Sequence, residues 1–456
     1  MRRIAFFLVF LFPFLLNAQK LTRADKVLIQ NLENHIKFLA SDELEGRRAG
    51  SPGEQKAVDY IILQYQNAGI KAMGSSGFIQ SFPIDEGKKL SPNSFIKVNK
   101  QVLLLDADFF PISNSGTGNI KSMASLSLNE AKQIWFKDLG EVLEENTSNP
   151  HFDINEWLLT TAKETKQKAG AALFLYNSGT LVDNIQYYKF DTAKALPIPV
   201  LYITKNGFSK YFTDELSTYE IEASIEFEHA SRTAHNVAAF IDNKAANTVI
   251  LGAHLDHLGY NEDRNALDIN NNIRNGADDN ASGTAALIEL AFLLSKSKSK
   301  QFNYLFIAFS AEELGLNGSK YFSENPTISL NTVNYMINMD MVGRMNDSTK
   351  TITVGGYGTS PSWQSMIAAV KKKSFTIKFD SSGTGPSDHT SFYRKDIPVL
   401  FFFTGLHTDY HKPSDDAAKI NYVGELQVLK YVYSVVEAVN KKGKIALKVR
   451  DRGDRG

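Results

Sequence analysis

The chain has 456 residues, of which 43% are hydrophobic and 22% charged, and it contains no cysteine. This length predicts two or three domains, and the composition is that of an ordinary globular protein. Lysine plus arginine number 50, as do aspartate plus glutamate. No net field therefore attracts nucleic acid or an anionic membrane, and neither is an expected partner. The missing cysteines exclude disulfides and a cysteine-linked lipid anchor.

The first residues have the order of a secretory signal peptide. Arg2 and Arg3 form a basic start, residues 4–16 are almost entirely apolar, and Ala18 provides a small residue at a cleavage point. The apolar run is short for a membrane-spanning helix. We expect residues 1–18 to be a signal peptide, and the mature chain to be exported to a bacterial periplasm or beyond without a stable membrane span. An uncleaved anchor is the alternative.

The sequence pattern predicts four further regions. Residues 19–95 form the N-terminal part of the main domain and are helical over 24–70, since apolar residues recur there every three or four positions. Residues 100–230 carry short strands separated by polar loops, which indicates an inserted, mostly β domain. Residues 231–445 alternate apolar strands with helices, and 446–456 form a flexible tail. This alternation predicts an α/β fold with a mainly parallel mixed sheet flanked by helices.

Ionisable residues stand where these apolar strands end, and burying such groups without a partner is costly. His254 follows the strand at 248–253, and alone it would be interpreted as a core histidine. Asp256 lies two residues on and shares its face, so it can accept a hydrogen bond from the imidazole. His257 is expected to face away from both.

Two acidic pairs follow the same logic. Asp278 and Asp279 precede an apolar helix, where one aspartate would suffice as a cap, and Asp278 is a candidate to bridge two cations. Glu312 and Glu313 end the strand at 304–309. In isolation they would be interpreted as a solvated pair, but adjacent residues point in different directions, so one can bind metal while the other acts as a base.

The last two positions complete a candidate metal site. Asp340 interrupts an apolar strand, and the loop after the strand at 399–403 carries His407, Tyr410 and His411. Nitrogen and oxygen ligands without a thiol favour zinc.

These segments, in this order over residues 234–440, resemble the zinc aminopeptidase and glutamate carboxypeptidase family of di-zinc exopeptidases (metallopeptidase family twenty-eight). The matching sequences are GAHLD at 252–256, NGADDNASG at 275–283, AEELG at 311–315, NMDMVG at 338–343, SDH at 387–389, and TGLH with YHKP at 404–413. Residues 39–53 resemble the N-terminal stretch of the family. Parts of the insert resemble a protease-associated domain.

The resemblance implies two zinc ions. His254 and Asp340 would hold one, Glu313 and His411 the other, and Asp278 would bridge them. It further implies that the Asp278–Asp279 peptide bond is cis.

The resemblance also implies the catalytic roles. Glu312 would be the general base, Tyr410 would stabilise the oxyanion, and Asp256 would orient His254. The polar stretch 261–274 is long for the family and is expected to lie over the cleft.

We expect peptide substrates and, because carboxylates dominate the site, an aminopeptidase. A carboxypeptidase with the same metal core remains an alternative, in which Arg344 or Arg394 would bind the C-terminus. A glutaminyl cyclase-like enzyme is a second alternative, although retention of both His254 and Asp340 argues against it. A non-catalytic relative should have lost ligands. The sequence leaves the oligomeric state open.

Overall fold

The structure is a computed structural model of the chain and describes residues 21–187, 194–214, 216–263, 265–268, 272–370 and 375–448. The predicted signal peptide and the end of the predicted tail lie outside these residues. Over the described chain, no helix combines the length and apolar character needed to cross a membrane. The chain divides into two compact units, of which unit 1 is Met1–Phe82 with Thr233–Gly456 and unit 2 is Pro83–Arg232.

The described helices and strands are as follows. The helices are α1 (Arg23–Leu39), α2 (Pro52–Asn67), α3 (Leu139–Glu145), α4 (Ile154–Gln167), α5 (Lys205–Tyr211), α6 (Gly283–Ser295), α7 (Asn317–Glu324), α8 (Ser362–Ala369), α9 (His389–Tyr393) and α10 (Tyr422–Lys442). The strands are β1 (Lys71–Ala72), β2 (Ile79–Leu90), β3 (Phe95–Val98), β4 (Gln101–Val102), β5 (Phe109–Pro111), β6 (Gly118–Ser125), β7 (Ile134–Asp138), β8 (Ala172–Tyr176), β9 (Val200–Ile203), β10 (Thr218–Ile225), β11 (Phe227–Ile241), β12 (Thr248–His254), β13 (Asn303–Phe309), β14 (Val333–Met339), β15 (Thr351–Gly355), β16 (Thr376–Phe379) and β17 (Val399–Phe403).

The main sheet has the strand order β1-β11-β13-β12-β14-β17-β15-β16, and β2 also pairs with β11. Its centre is parallel, since β12 pairs in parallel with β13 and β14, and β14 with β17. Every residue of β12, β13 and β14 is buried, as expected for parallel strands covered on both faces. The outer strands β11 and β15 run antiparallel to their inner neighbours. The predicted α/β fold with a mixed sheet is confirmed.

The predicted helical region 24–70 is two helices with an irregular connection. Thr22 caps α1 through a capping box with Asp25, and Pro52 occupies the first turn of α2, where its missing N–H costs nothing. Between them, Glu45 and Arg47 have φ values of 47° and 49°, which a continuous helix cannot contain. The break directs the Arg47 side chain into unit 1.

Unit 2 has two four-stranded sheets with the orders β4-β3-β10-β6 and β5-β9-β8-β7. Helices α3, α4 and α5 belong to the same part of the chain. The unit starts at Pro83, before the boundary near residue 100 expected from the sequence, because β2 continues past residue 82 to Leu90. Its apolar clusters draw only on residues between 90 and 227.

Candidate active site and metal centre

The candidate site lies in unit 1, where neighbouring parallel strands end. His254 is the last residue of β12, Glu312 and Glu313 follow β13, and Asp340 follows β14. The loop after β17 carries His411. Since β13, β12, β14 and β17 are neighbours in the sheet, their carboxyl ends meet at one edge, which is the usual ligand-binding edge of such sheets.

Asp279 stands at the centre of the group. Its Oδ1 lies 3.3 Å from Nε2 of His254, and its Oδ2 lies 3.3 Å from Nε2 of His411. On the first side, Asp340 Oδ1 is 3.3 Å from the same His254 nitrogen. On the second, Glu313 Oε2 is 3.1 Å from the same His411 nitrogen. The two oxygens of one carboxylate thus face two clusters, one containing His254 and Asp340 and the other containing His411 and Glu313.

Asp278, the bridging residue expected from the sequence, points elsewhere. Its Oδ1 accepts hydrogen bonds from the Gly343 N–H at 2.7 Å and the Ser282 hydroxyl at 3.0 Å, and its Oδ2 lies 3.3 Å from His407 Nε2. Successive residues of an extended segment face opposite sides, and Asp279 has extended dihedrals (φ −104°, ψ 93°). The structure therefore moves the candidate bridging position from Asp278 to Asp279.

The cis peptide bond also differs from the sequence-based expectation. It joins Asp279 to Asn280, one residue after the expected Asp278–Asp279 bond. Asn280 ties the turn to β14, since its Nδ2 donates to the Met339 carbonyl at 3.0 Å and its Oδ1 accepts the Met341 N–H at 3.1 Å. These bonds place Asp279 beside Asp340.

Asp415 holds the same turn from the opposite side. Its buried carboxylate accepts the backbone N–H groups of Asp278 and Asp279, both at 3.0 Å. Burial raises the pKa of Asp415 to about 6. The residue is in the loop that also carries His411, so one loop supplies a candidate ligand and a support for the turn.

Arg47 lies beneath the site with only 1% of its surface exposed. Its guanidinium donates to the carbonyls of Leu255 at 2.8 Å, Asn275 at 2.7 Å and Gly276 at 3.0 Å, and also to that of Leu39. The carbonyls of Leu255, Asn275 and Gly276 belong to the segments that follow His254 and precede Asp279. A buried positive charge thus binds both segments and partly offsets the repulsion among the site carboxylates.

His257 is part of the site, whereas the sequence predicted that it would face away. Its Nδ1 lies 2.7 Å from Glu313 Oε1 and 4.0 Å from Asp279 Oδ2. The expectation assumed that the strand continues, but β12 ends at His254 and strict alternation stops there. No sequence signal could have revealed this change of direction.

Hydrogen bonds fix the orientation of the two facing histidines. His254 Nδ1 lies 3.2 Å from the Asp256 carbonyl, and His411 Nδ1 lies 3.2 Å from the Asn265 carbonyl. Because a carbonyl only accepts, each Nδ1 donates, and each Nε2, which faces the acids, is the nitrogen left to bind a metal ion. Asn265 belongs to the stretch 261–274 that was expected over the cleft; residues 264 and 269–271 of that stretch lie outside the described chain.

Asp256 supports the loop that carries the two glutamates. Its carboxylate accepts the N–H of Glu312 at 3.1 Å and that of Glu313 at 3.4 Å, and its Oδ1 is 3.7 Å from His254 Nδ1. Asp256 thus contacts three candidate site residues at once. The hydrogen bond from the imidazole goes to the Asp256 backbone carbonyl, while the side chain lies at ion-pair distance.

The local electrostatics favour cations. Burial alone would lower the pKa of His254, but Glu312 and Asp340 raise it well above its usual range. Burial would raise the pKa of Asp279, yet His254 and His411 hold it well below its usual range. The donors are imidazole nitrogens and carboxylate oxygens, which suit zinc. His254, Asp279 and Asp340 form one compact group of possible ligand atoms, and His257, Asp279 and Glu313 form another, so the residues of each group fit a metal ion.

A cavity of about 240 Å³ opens beside these groups. Glu312 and Tyr410 line it together with the candidate ligands Asp279, Asp340 and His411. Burial raises the pKa of Glu312 well above its usual range and keeps the Tyr410 phenol protonated by raising its pKa. The Tyr410 ring stacks on His411, with the ring centroids 3.8 Å apart.

Known proteins are similar in sequence to this chain. Residues 236–436 match the model of peptidase family M28. The aminopeptidase YwaD of Bacillus subtilis (strain 168) is 27% identical over 303 residues, which are 62% of this chain and 60% of the relative. An aminopeptidase of Pseudomonas aeruginosa (strain UCBPP-PA14) is 25% identical over 404 residues, 83% of this chain and 69% of that protein. The chain thus spans about three fifths of the first relative's length.

A solved structure agrees with the fold. BSAP, a zinc aminopeptidase from Bacillus subtilis, is similar with a TM-score of 0.53 and 20% identity, over 93% of this chain and 96% of that one. At this identity the likeness concerns the fold.

Proposed function

We propose that the chain, whose residues 236–436 match the model of peptidase family M28, is an exported, zinc-dependent aminopeptidase. The observation that carries the proposal is the cavity beside the paired histidine and carboxylate groups. Asp279, Glu312, Glu313 and Asp340 line it, and none of its described lining residues is lysine or arginine. Such a cavity favours a substrate ammonium over a substrate carboxylate.

The proposed ligands are those expected from the sequence, with Asp279 in place of Asp278. His254 and Asp340 would hold one zinc ion, Glu313 and His411 the other, and Asp279 both. Bound zinc would lower the pKa of water and polarise the peptide carbonyl. The names of the aminopeptidase relatives support the proposed activity, and that of the zinc aminopeptidase with a similar fold supports zinc as the metal.

Glu312 is the proposed general base. Its backbone N–H is fixed by Asp256, while its side chain lines the cavity beside Asp340. From there the carboxylate would take a proton from the attacking water and later deliver it to the leaving amine. Glu313, the next residue, faces His257 and His411, so the two glutamates have separate tasks.

Tyr410 is the proposed oxyanion donor. Its protonated phenol lines the cavity next to His411, where it could donate a hydrogen bond to the carbonyl oxygen as charge develops. The substrate ammonium would be held by the surplus of carboxylates.

The two arginines considered for binding a C-terminal carboxylate do not line the cavity. Arg344 instead lies 3.2 Å from Asp409 Oδ2 and 4.0 Å from Asp415 Oδ1, so its charge is already paired. These contacts make the carboxypeptidase alternative less favourable.

The test compares one peptide in three forms: free at both ends, N-acetylated, and amidated at the C-terminus. We expect the zinc-loaded protein to cleave the free peptide and the C-terminal amide, to lose activity on the N-acetylated peptide, and to lose all activity with a chelator. Cleavage of the acetylated peptide but not of the amide would instead show a carboxypeptidase.

A further inference from the structure

One wall of the cavity is a strip of the main sheet formed by β17, β15 and β16. The strand register pairs Gly355 with Phe401 and Thr353 with Phe403. These four residues line the cavity, so they occupy one face of the sheet, as alternate residues of a strand do. The Phe401 and Phe403 rings are 5.8 Å apart and nearly parallel, which makes this part of the wall apolar.

The apolar character continues on the neighbouring loops. Met341 and Pro386 line the cavity, and so does Leu406, whose side chain is 69% exposed. His389 stacks on Phe401 with the ring centroids 4.5 Å apart. Burial lowers the pKa of His389 to about 3, so this imidazole brings no positive charge.

Polar residues line the cavity next to this apolar wall, in the loop that follows β16. Val354 pairs with Phe379, so the register continues with Asp380 beside Gly355, and Asp380 lines the cavity with Ser382 and Thr384. Asp380 Oδ1 accepts the Ser382 N–H at 3.0 Å. This bond fixes the carboxylate, which remains exposed to solvent.

We propose that this wall is a specificity pocket for an N-terminal lysine or arginine, with Asp380 as the residue that selects the cation. The inference rests on the proposed aminopeptidase function. The aliphatic stem of the side chain would lie along Phe401, Phe403 and Met341. Its charged end would reach Asp380, in the way that long basic side chains bury the stem and keep the head in a polar environment.

Asp380 has a charged neighbour that must be considered. Lys378 pairs with Thr353 in the register and so projects from the same face of the sheet, but it does not line the cavity. The Lys378 ammonium and the Asp380 carboxylate, both described in the structure, do not come within 4.0 Å of each other. If Lys378 affects a cationic substrate at all, it repels it, so removing Lys378 should not weaken the preference.

The experiment measures kcat/KM for lysyl and norleucyl aminocoumarins, whose side chains are of similar length and differ in charge. We expect a lysyl/norleucyl ratio above one. Asp380→Asn keeps an oxygen that can accept the Ser382 N–H, and it should lower the ratio about two- to fivefold, the effect of a solvent-exposed ion pair. Asp380→Glu should retain the preference, and Lys378→Gln, the matched control, should not lower it.

A ratio below one in the unaltered protein, or an Asp380→Asn ratio equal to it, would overturn the proposal. Either result could be obtained with a fully active aminopeptidase, so the proposed function would stand. A third result would overturn both proposals: neither aminocoumarin is cleaved, but the N-acetylated peptide is. The protein would then be a carboxypeptidase and could not select an N-terminal lysine or arginine. Thermal unfolding of each variant verifies that it is folded.

Discussion

Adjacent residues with the same side chain have different tasks in this site. Asp279 faces the histidines and acids of both clusters, whereas Asp278 accepts hydrogen bonds from Gly343 and Ser282. Glu312 and Glu313 both line the cavity, but only Glu313 also pairs with His257 and His411. In both pairs the backbone direction decides the role, because the side-chain chemistry is identical.

This difference predicts opposite results for two conservative variants. Asp279→Asn should lose zinc, since one substitution weakens a ligand of both ions. Asp278→Asn should keep it, because an amide oxygen can still accept from Gly343 and Ser282. Metal content after dialysis against a weak chelator measures the difference. Zinc retained in Asp279→Asn and lost in Asp278→Asn would restore the bridging role expected from the sequence.

Glu312→Gln should leave the zinc content unchanged and reduce turnover by about 10²–10⁴-fold, the usual contribution of a general base. The amide cannot take up the proton but has nearly the same shape. Metal analysis and kcat on a single aminoacyl substrate are the measurements. Glu313→Gln is the matched control and should lose metal; the reverse pattern would exchange the roles of the two glutamates.

The sequence located the segments that form the candidate site, but it placed Asp278, rather than Asp279, between the two clusters. Acids and histidines at the ends of apolar strands identified the right segments, because parallel strands bring their ends together. The choice between Asp278 and Asp279, and the position of His257, depend on backbone dihedrals after the regular element ends. Asn280 and Asp415 set those dihedrals through long-range hydrogen bonds, which periodicity does not show.

At the scale of elements, a buried carboxylate joins α2 to the loop that carries the glutamates. Glu54, in the first turn of α2, is fully buried. It accepts the His235 N–H at 3.0 Å, lies 3.1 Å from His235 Nδ1, and accepts the Ser310 hydroxyl. Ser310 follows β13 and precedes Glu312 by two residues. The sequence predicted α2 and β13 from their apolar patterns, but not this link, because its partners are 181 and 256 residues apart from Glu54.

This contact predicts a pH-dependent contribution to stability. The hydrogen bond with Glu54 raises the pKa of His235. A group whose pKa is raised on folding stabilises the protein fully below its unfolded pKa, near 6.5, and the contribution is lost as the pH rises through the folded pKa. His235→Gln should therefore reduce the free energy of unfolding more at pH 5.5 than at pH 8.5.

Guanidinium unfolding of both proteins at the two pH values measures this difference, with chelator present throughout so that metal binding does not contribute. His151, which is exposed and has a backbone hydrogen bond to Asn149, provides the control substitution. A His235→Gln penalty that is equal at both pH values would mean that the pair contributes as a neutral hydrogen bond.

At the scale of the whole molecule, the two units have separate apolar cores. The clusters of unit 1 draw on residues before 83 and after 236, and those of unit 2 only on residues between 90 and 227. Every proposed ligand, Glu312, Tyr410 and every described residue of the cavity belong to unit 1. The short strands and polar loops of residues 100–230 predicted an inserted domain. Its first residue lies within β2, at a position that depends on strand pairing and not on the sequence pattern.

We therefore expect that residues 83–232 can be replaced by a short glycine-serine linker without loss of the metal site. Each unit buries its own apolar residues, and burial of apolar surface is the main stabilising term in folding. The shortened protein should bind the same amount of zinc and cleave aminoacyl aminocoumarins, because no proposed ligand is removed. The relative rates on a tripeptide and a decapeptide should change, because a unit that supplies no catalytic group can still affect which substrate lengths the enzyme prefers. Zinc content, thermal unfolding and the tripeptide/decapeptide rate ratio are the three measurements.

A folded, zinc-loaded protein with an unchanged ratio would limit unit 2 to a structural role, and a protein that fails to fold would show that the two cores depend on each other.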